Sequence, residues 1–243
     1  MSEIVVARDI AELNLLAAER FVTIAAESTD ARGRFTAALS GGSTPKALFR
    51  LLASEPCREA VDWDTTVFFF GDERNVPADS EDSNYRMANE SLFRPLGIRQ
   101  ENVHRWKTEL GGPGAAAADY ENEIRSVFGT GIPVFDLVFL GMGTDGHTAS
   151  LFPGTAALDE KNRIAVANPV PKLDTVRLTL TYPVFNAASN VMFLIAGADK
   201  AAVLAHVLGG DEDLRELPSS GIRPASGNLY WYLDEAAATE LPR

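Results

Sequence analysis

The chain has 243 residues, of which 46% are hydrophobic and 23% charged, and its formal net charge at pH 7 is −12. This balance is typical of a globular protein and excludes a largely disordered chain. An acidic surface disfavours nucleic acid and anionic membrane as partners, although a small site can still gather cations around an anionic substrate. The single cysteine, Cys57, excludes an intramolecular disulfide and a cysteine-based metal site.

The length predicts one α/β domain over residues 1–243. The first residues show neither a basic region nor a long apolar run, and no segment approaches the ~20 apolar residues of a membrane helix. We therefore expect a cytosolic protein. No HExxH or similar ligand spacing is present, so we expect neither a metal nor a cofactor. The expected oligomeric state is a monomer or a weak homo-oligomer.

Apolar runs alternate with helical patterns along the chain. In chain order, the helical patterns cover 10–28, 44–52, 83–93, 114–128 and 198–208. The strand candidates are 35–39, 67–70, 135–140, 164–167, 176–180, 191–196 and 230–233. Strands that are apolar throughout are typical of parallel sheets covered by helices, so the pattern predicts an α/β fold around a mostly parallel sheet.

Four strand candidates run directly into a glycine-rich or charged turn. Open parallel sheets bind ligands at the carboxyl ends of their strands, so these turns are candidate sites. The first turn holds Gly41, Gly42, Ser43 and Thr44. A helix start that glycines open to close approach attracts phosphate. The pattern is neither a P-loop nor GxGxxG, and a plain turn whose serine or threonine caps the helix is the alternative.

The second turn carries Asp72 and Arg74, and the fourth carries Lys200. Arg74 could bind phosphate with its guanidinium fork, and Asp72 could orient a sugar hydroxyl or act as a base. A solvated charged turn is the alternative. Lys200 starts a helix, where a cation is unfavourable unless it faces an anion. Taken alone, it is interpreted as an ordinary exposed lysine.

The third turn, residues 141–150, is rich in glycine and contains His147. Histidine is the side chain whose ordinary pKa suits proton transfer near neutral pH. Asp145, two residues earlier, could hold the imidazole in one tautomer. Ser150 raises the alternative of a Ser-His-Asp hydrolase, but the sequence contains no GxSxG nucleophile motif.

Together these turns resemble the 6-phosphogluconolactonase family, a relative of glucosamine-6-phosphate deaminase. The matching segments are LSGGSTPKALF (39–49), FFFGDERNVP (68–77), DSNYRMANESLF (82–93), FDLVFLGMGTDGHTASLFPGT (135–155), RLTLTYPVFNAASNVMFLIAGADKA (177–201) and YWYLDEAAA (230–238). The resemblance covers nearly the whole chain in order. It implies a three-layer, Rossmann-like α/β domain of the glucosamine-6-phosphate deaminase type, with a mostly parallel twisted sheet flanked by helices.

The resemblance also implies a reaction, the hydrolysis of 6-phosphoglucono-δ-lactone to 6-phosphogluconate, which is the second step of the oxidative pentose phosphate pathway. The partner is then a small phosphorylated sugar lactone. His147 is implied as the general base and Asp145 as its support. Contacts to the substrate and its phosphate are implied for the 41–44 loop, Asp72, Arg74, Arg177 and Lys200, with Lys172 close to the site.

Two other functions stay open. A deaminase/isomerase acting on glucosamine-6-phosphate would use Asp72 to abstract a carbon-bound proton. Its relatives follow Asp-Glu with an aromatic residue, whereas this chain has Asp-Glu-Arg followed by Asn-Val-Pro, which favours the lactonase. A sugar-phosphate sensor without turnover usually carries a DNA-reading module, and the sequence shows no basic helix of that kind.

Overall fold

The computed structural model of the chain describes residues 2–210 and 213–242. The strands are β1 (Ser2–Ala7), β2 (Phe35–Leu39), β3 (Thr66–Phe70), β4 (Asp72–Arg74), β5 (Leu137–Leu140), β6 (Ala165–Val170), β7 (Thr175–Leu180), β8 (Asn190–Ile195) and β9 (Asn228–Asp234). The α-helices are α1 (Ile10–Arg32), α2 (Ser43–Leu52), α3 (Cys57–Ala60), α4 (Asn84–Ala88), α5 (Arg94–Leu96), α6 (Pro113–Phe128), α7 (Tyr182–Ala187) and α8 (Ala201–Gly209). A π-helical stretch, Asn89–Phe93, joins α4 to α5.

Six strands form one sheet in the order β1-β9-β8-β5-β2-β3, and every neighbouring pair is parallel. β2 and β5 are buried along their whole length. This burial explains why β5 is apolar at every position, and β2 at every position except Thr36, whose hydroxyl donates to Asp136 Oδ2 at 2.8 Å. The predicted α/β fold with a mostly parallel sheet is confirmed.

The remaining strands form a second, antiparallel sheet in the order β4-β7-β6. The candidates 164–167 and 176–180 are therefore strands, but they lie outside the parallel sheet. Only Gly71 separates β3 from β4. Its N–H donates to Leu39 O at 2.8 Å, and its carbonyl accepts from Leu180 N at 2.9 Å. This single residue thus connects the two sheets by hydrogen bonds as well as by sequence.

The helices begin and end where local chemistry favours it. Asp9 caps α1 by accepting from Glu12 N at 2.9 Å, and Gly33 ends the helix with a φ of 70°.

β1 was not among the strand candidates. It is an edge strand paired only with β9 within the described residues, and Ile4 and Val6 are half-exposed. Among residues 2–210 and 213–242, no helix is long and apolar enough to cross a membrane.

Candidate functional site

Three of the four predicted turns meet in one cleft. β8, β5, β2 and β3 are neighbours in the parallel sheet, so their carboxyl ends lie side by side. The cleft has a volume of about 170 Å³ and is lined by Ser40, Gly41, Asp72, Arg74, Asn84, Gly141, Met142, Gly143, His147 and Ala149. Residues that are far apart in the sequence therefore share one cavity, as the ligand-binding rule for open sheets predicts.

The imidazole of His147 is fixed by contacts on several sides. Its Nδ1 lies 2.5 Å from Asp145 Oδ1, and its ring stacks on Phe152 with centroids 4.2 Å apart. A Cβ added to Gly143 would lie 2.2 Å from the Nδ1 and Cε1 atoms of the ring. Only glycine at this position leaves room for the imidazole where it lies.

Asp145 determines which nitrogen of His147 carries the proton. Its Oδ2 accepts from Lys172 Nζ at 3.0 Å. Burial acts to raise the pKa of Asp145, but the hydrogen bonds from His147 and Lys172 outweigh it and lower this pKa to about 2. The carboxylate is thus ionised at neutral pH and can only accept. Nδ1 of the neutral imidazole must then donate to it, which leaves Nε2 as the basic atom.

The loop that carries His147 is held in an unusual backbone shape. Gly146 has a φ of 74°, and its carbonyl accepts from both the N–H and the hydroxyl of Ser219, each at 2.9 Å. Ala149 has a φ of 48°, a region that residues with a side chain rarely adopt. Thr148 Oγ1 donates to Gly141 O at 2.8 Å. Left-handed residues of this kind often cluster at functional sites.

Asp72 lies buried in the cleft wall and accepts two hydrogen bonds from side chains. Ser150 Oγ donates to its Oδ2 at 2.7 Å, and Asn84 Nδ2 lies 3.4 Å from its Oδ1. The hydroxyl of Ser150 is therefore directed at Asp72 and not at His147. This geometry does not support the Ser-His-Asp alternative.

Arg74 lines the cleft, and Arg177, which does not line it, brings a second positive charge next to Arg74. Arg74 and Arg177 stand directly opposite each other across β4 and β7. Arg74 Nη1 donates to Asp82 O at 2.5 Å, whereas Arg177 Nε is buried without a partner. Burial and the neighbouring charge of Arg74 lower the pKa of Arg177. Two adjacent guanidinium groups, one with a free buried donor, suit the binding of a dianion.

The first turn differs in one respect from its sequence interpretation. The N-cap residue of α2 is Gly42, with a φ of 109°, and no side chain caps the helix. The alternative in which serine or threonine caps this helix is therefore wrong, because Ser43 and Thr44 lie inside its first turn. Gly41 lines the cleft, while Gly42, Ser43 and Thr44 do not.

The fourth turn does not join the cleft. The N–H of Gly197 donates to both carboxylate oxygens of Asp234, at 3.0 and 3.1 Å. Lys200 Nζ pairs with Asp199 at 3.2 Å and is not among the residues that line the cleft. The carboxylate of Asp234 thus already occupies the free backbone donor at this strand end.

Among the residues that line the cleft, Asn84 is the one that lies outside the turns predicted from the sequence. Asn84 lies within the predicted helix 83–93, where a polar residue at a helix start has an ordinary explanation, so no local signal marks it. Within the described part of the chain, no group of three or more His, Cys, Asp or Glu side chains could hold a metal ion.

The chain matches the family described as glucosamine-6-phosphate isomerases/6-phosphogluconolactonase over residues 8–231. It is 44% identical over 214 residues to a 6-phosphogluconolactonase of Nostoc sp., covering 86% of each chain. It is 43% identical over 214 residues to the Homo sapiens 6-phosphogluconolactonase, covering 86% of this chain and 81% of that one. The solved 6-phosphogluconolactonase from Trypanosoma cruzi superposes with a TM-score of 0.89 at 34% identity, over 100% of this chain and 98% of that chain. The protein therefore belongs to the glucosamine-6-phosphate isomerase/6-phosphogluconolactonase family.

Proposed function

We propose that this protein hydrolyses 6-phosphoglucono-δ-lactone to 6-phosphogluconate, the second step of the oxidative pentose phosphate pathway. The observation that carries the proposal is the 2.5 Å contact between His147 Nδ1 and Asp145 Oδ1 in a cleft that Arg74 also lines. The cleft thus combines an oriented base, His147, with a cation, Arg74, that can bind an anionic substrate. The relatives named above carry the same activity in their names, which supports this substrate.

In the proposed mechanism, Nε2 of His147 takes a proton from a water molecule. The resulting hydroxide attacks the carbonyl carbon of the lactone, and a tetrahedral intermediate forms. The bond between that carbon and the ring oxygen then breaks, and the imidazolium returns its proton to the leaving oxygen. Asp145 stabilises the imidazolium between the two steps. A positioned acid–base group of this kind contributes about 10²–10⁴-fold in rate.

We propose that Arg74 and Arg177 bind the phosphate of the substrate. The buried, unpaired Nε of Arg177 is a donor that a phosphate oxygen can satisfy. Anchoring the phosphate orients the lactone carbonyl beside His147, and such orientation lowers the entropic part of the barrier. Gly41, which lines the cleft, supplies a further backbone donor in this proposal. The contacts of Gly42, Ser43 and Thr44 with the phosphate stay predictions.

The test is hydrolysis of freshly generated 6-phosphogluconolactone, corrected for spontaneous ring opening, with ammonia release from glucosamine-6-phosphate measured in parallel. We expect lactone turnover without ammonia. Ammonia release would transfer the role of base to Asp72. No turnover in either assay, together with tight binding of a sugar phosphate, would indicate a sensor instead.

The proposed base is tested by His147→Asn, with His104→Asn as a matched control. His104 stacks on Phe69 and pairs with Glu123 at 3.1 Å, and it does not line the cleft. We expect the first variant to lose about 10²–10⁴-fold in kcat while its affinity for 6-phosphogluconate stays near that of the wild type. We expect the second to keep its activity. Full turnover in His147→Asn would remove this residue from the mechanism.

Other expectations from the sequence stay predictions within this proposal. They are a single domain, a cytosolic location, a monomer or weak homo-oligomer, catalysis without a cofactor, and the absence of nucleic acid and membrane partners. The role of Lys200 in phosphate binding also stays a prediction. Its ion pair with Asp199 would have to open before a phosphate could replace that carboxylate.

A further inference from the structure

Asn84 is a buried polar residue in the wall of the cleft. It is the first residue of α4 and is 1% exposed. Its Nδ2 lies 3.0 Å from the carbonyl oxygen of Asp72 and 3.4 Å from Asp72 Oδ1. Both neighbours are acceptors, so the amide nitrogen must face them. The orientation of the carboxamide is therefore fixed by chemistry, and its oxygen points the other way.

That oxygen has no donor. Asn84 Oδ1 is buried and unpartnered, and a Cβ on Gly41 would lie 1.9 Å from it. The carboxamide thus fills the space that a side chain at position 41 would occupy, in the wall of the cleft. Buried acceptors are nearly always hydrogen-bonded in native proteins, so an unpaired one in a residue that lines a cleft points to a donor on the ligand.

We propose that Asn84 is a specificity-determining residue whose Oδ1 accepts a hydrogen bond from a sugar hydroxyl of the substrate. This inference rests on the proposed function. A carboxamide oxygen repels an anion and attracts a hydroxyl, so Asn84 recognises the polyol part of the ligand. Arg74 and Arg177 recognise its phosphate. The two ends of the substrate are therefore recognised by separate side chains.

The chain contains a matched control in Asn14. Its Oδ1 is likewise buried without a partner, and its Nδ2 donates to Ile10 O at 2.8 Å. Asn14 lies in α1 and does not line the cleft. Truncation of either residue removes one buried carboxamide, but only Asn84 stands where it can contact a ligand.

The test compares Asn84→Ala and Asn14→Ala by calorimetric titration with 6-phosphogluconate and with inorganic phosphate. We expect Asn84→Ala to weaken the binding of 6-phosphogluconate about tenfold, which corresponds to the loss of one hydrogen bond. Its affinity for inorganic phosphate should stay within about twofold of the wild-type value. We expect Asn14→Ala to change neither. Unchanged 6-phosphogluconate affinity in Asn84→Ala, or an equal loss for both ligands, would overturn the proposal.

A series of singly deoxygenated 6-phosphogluconates separates a direct contact from an effect transmitted through Asp72. One analogue should bind the wild type about tenfold more weakly than the parent compound, and Asn84→Ala should bind that analogue and the parent equally. If Asn84→Ala and the wild type lose the same factor in affinity for every analogue relative to the parent compound, Asn84 contacts none of the hydroxyls. If Asn84→Ala does not fold, Asn84→Ser serves instead, because its shorter side chain cannot reach the same point.

The outcomes also separate this inference from the proposed function. A wild type that neither turns over the lactone nor binds 6-phosphogluconate overturns both. If the wild type hydrolyses the lactone but the Asn84 variants distinguish the analogues from the parent compound as the wild type does, only the role of Asn84 is overturned.

Discussion

The contact between Asp145 and Lys172 makes a specific prediction for the variant Asp145→Asn. Lys172 can only donate, so the introduced amide should turn its oxygen toward Nζ and its NH₂ group toward His147. The imidazole would then accept at Nδ1 and carry its proton on Nε2. In that tautomer the atom proposed to activate water has no free lone pair.

The size of the effect follows from the same contact. A hydrogen bond to a charged group contributes about 1.5–3 kcal/mol, which corresponds to roughly 10–150-fold in favour of the unproductive amide orientation. The side chain of Lys172 is 70% exposed, so screening brings this factor toward about tenfold. Loss of the carboxylate that stabilises the imidazolium adds to it. We expect kcat/KM to fall by about 10²-fold in total.

The decisive comparison is the double variant Asp145→Asn/Lys172→Met. Without the lysine, the amide can turn its oxygen toward Nδ1 and restore the productive tautomer. We expect the double variant to regain up to about tenfold over Asp145→Asn, measured as initial rates on freshly generated lactone. Imidazole ¹⁵N shifts would report the tautomer directly. Activity of Asp145→Asn within about threefold of the wild type, or no recovery in the double variant, would refute the reasoning.

Three further predictions follow from the site. Arg177→Ala should raise KM for the phosphorylated lactone about 10–100-fold and leave hydrolysis of unphosphorylated glucono-δ-lactone unchanged; equal losses on both substrates would contradict a phosphate contact. Gly143→Ala should lower kcat at least tenfold at unchanged affinity for phosphate, because its Cβ would lie 2.2 Å from the His147 ring. The pKa of Asp145 lies at about 2, below its ordinary 3.8, so its ionised form stabilises the fold above pH 3.8 by roughly 1–2 kcal/mol after screening by solvent, and this stability is lost as pH falls toward 2. Denaturation of the wild type and Asp145→Asn should therefore differ at pH 5 and converge near pH 2.

The sequence located the cleft because its main parts follow strands with a strong local signal. Leu39, Phe70 and Leu140 each end an apolar strand, and the parallel sheet places those ends side by side. The turn after the fourth strand contributes no residue to the lining of this cleft. There Asp234, a residue 37 positions away from Gly197, occupies the backbone donor. No local sequence pattern predicts that contact.

Asn84 and Ser150 show why a cleft is harder to derive than a fold. Each is defined by a partner distant in sequence, Asp72, at a separation of 12 and 78 residues respectively. Their local sequences suggest only a helix start and a loop hydroxyl. Ser150 even suggested a rival nucleophile until its hydrogen bond to Asp72 gave it a different role.

The two sheets contribute different chemistry to the proposed site. The parallel sheet presents His147 on a loop after β5, at the strand ends where backbone groups are free. The antiparallel sheet presents cations: Arg74 and Arg177 face each other on β4 and β7, and Lys172 lies in the turn between β6 and β7. Gly71 joins the two systems with a hydrogen bond to each. In the proposed function, these three cations supply the local positive charge for an anionic substrate, although the net charge of the protein is −12.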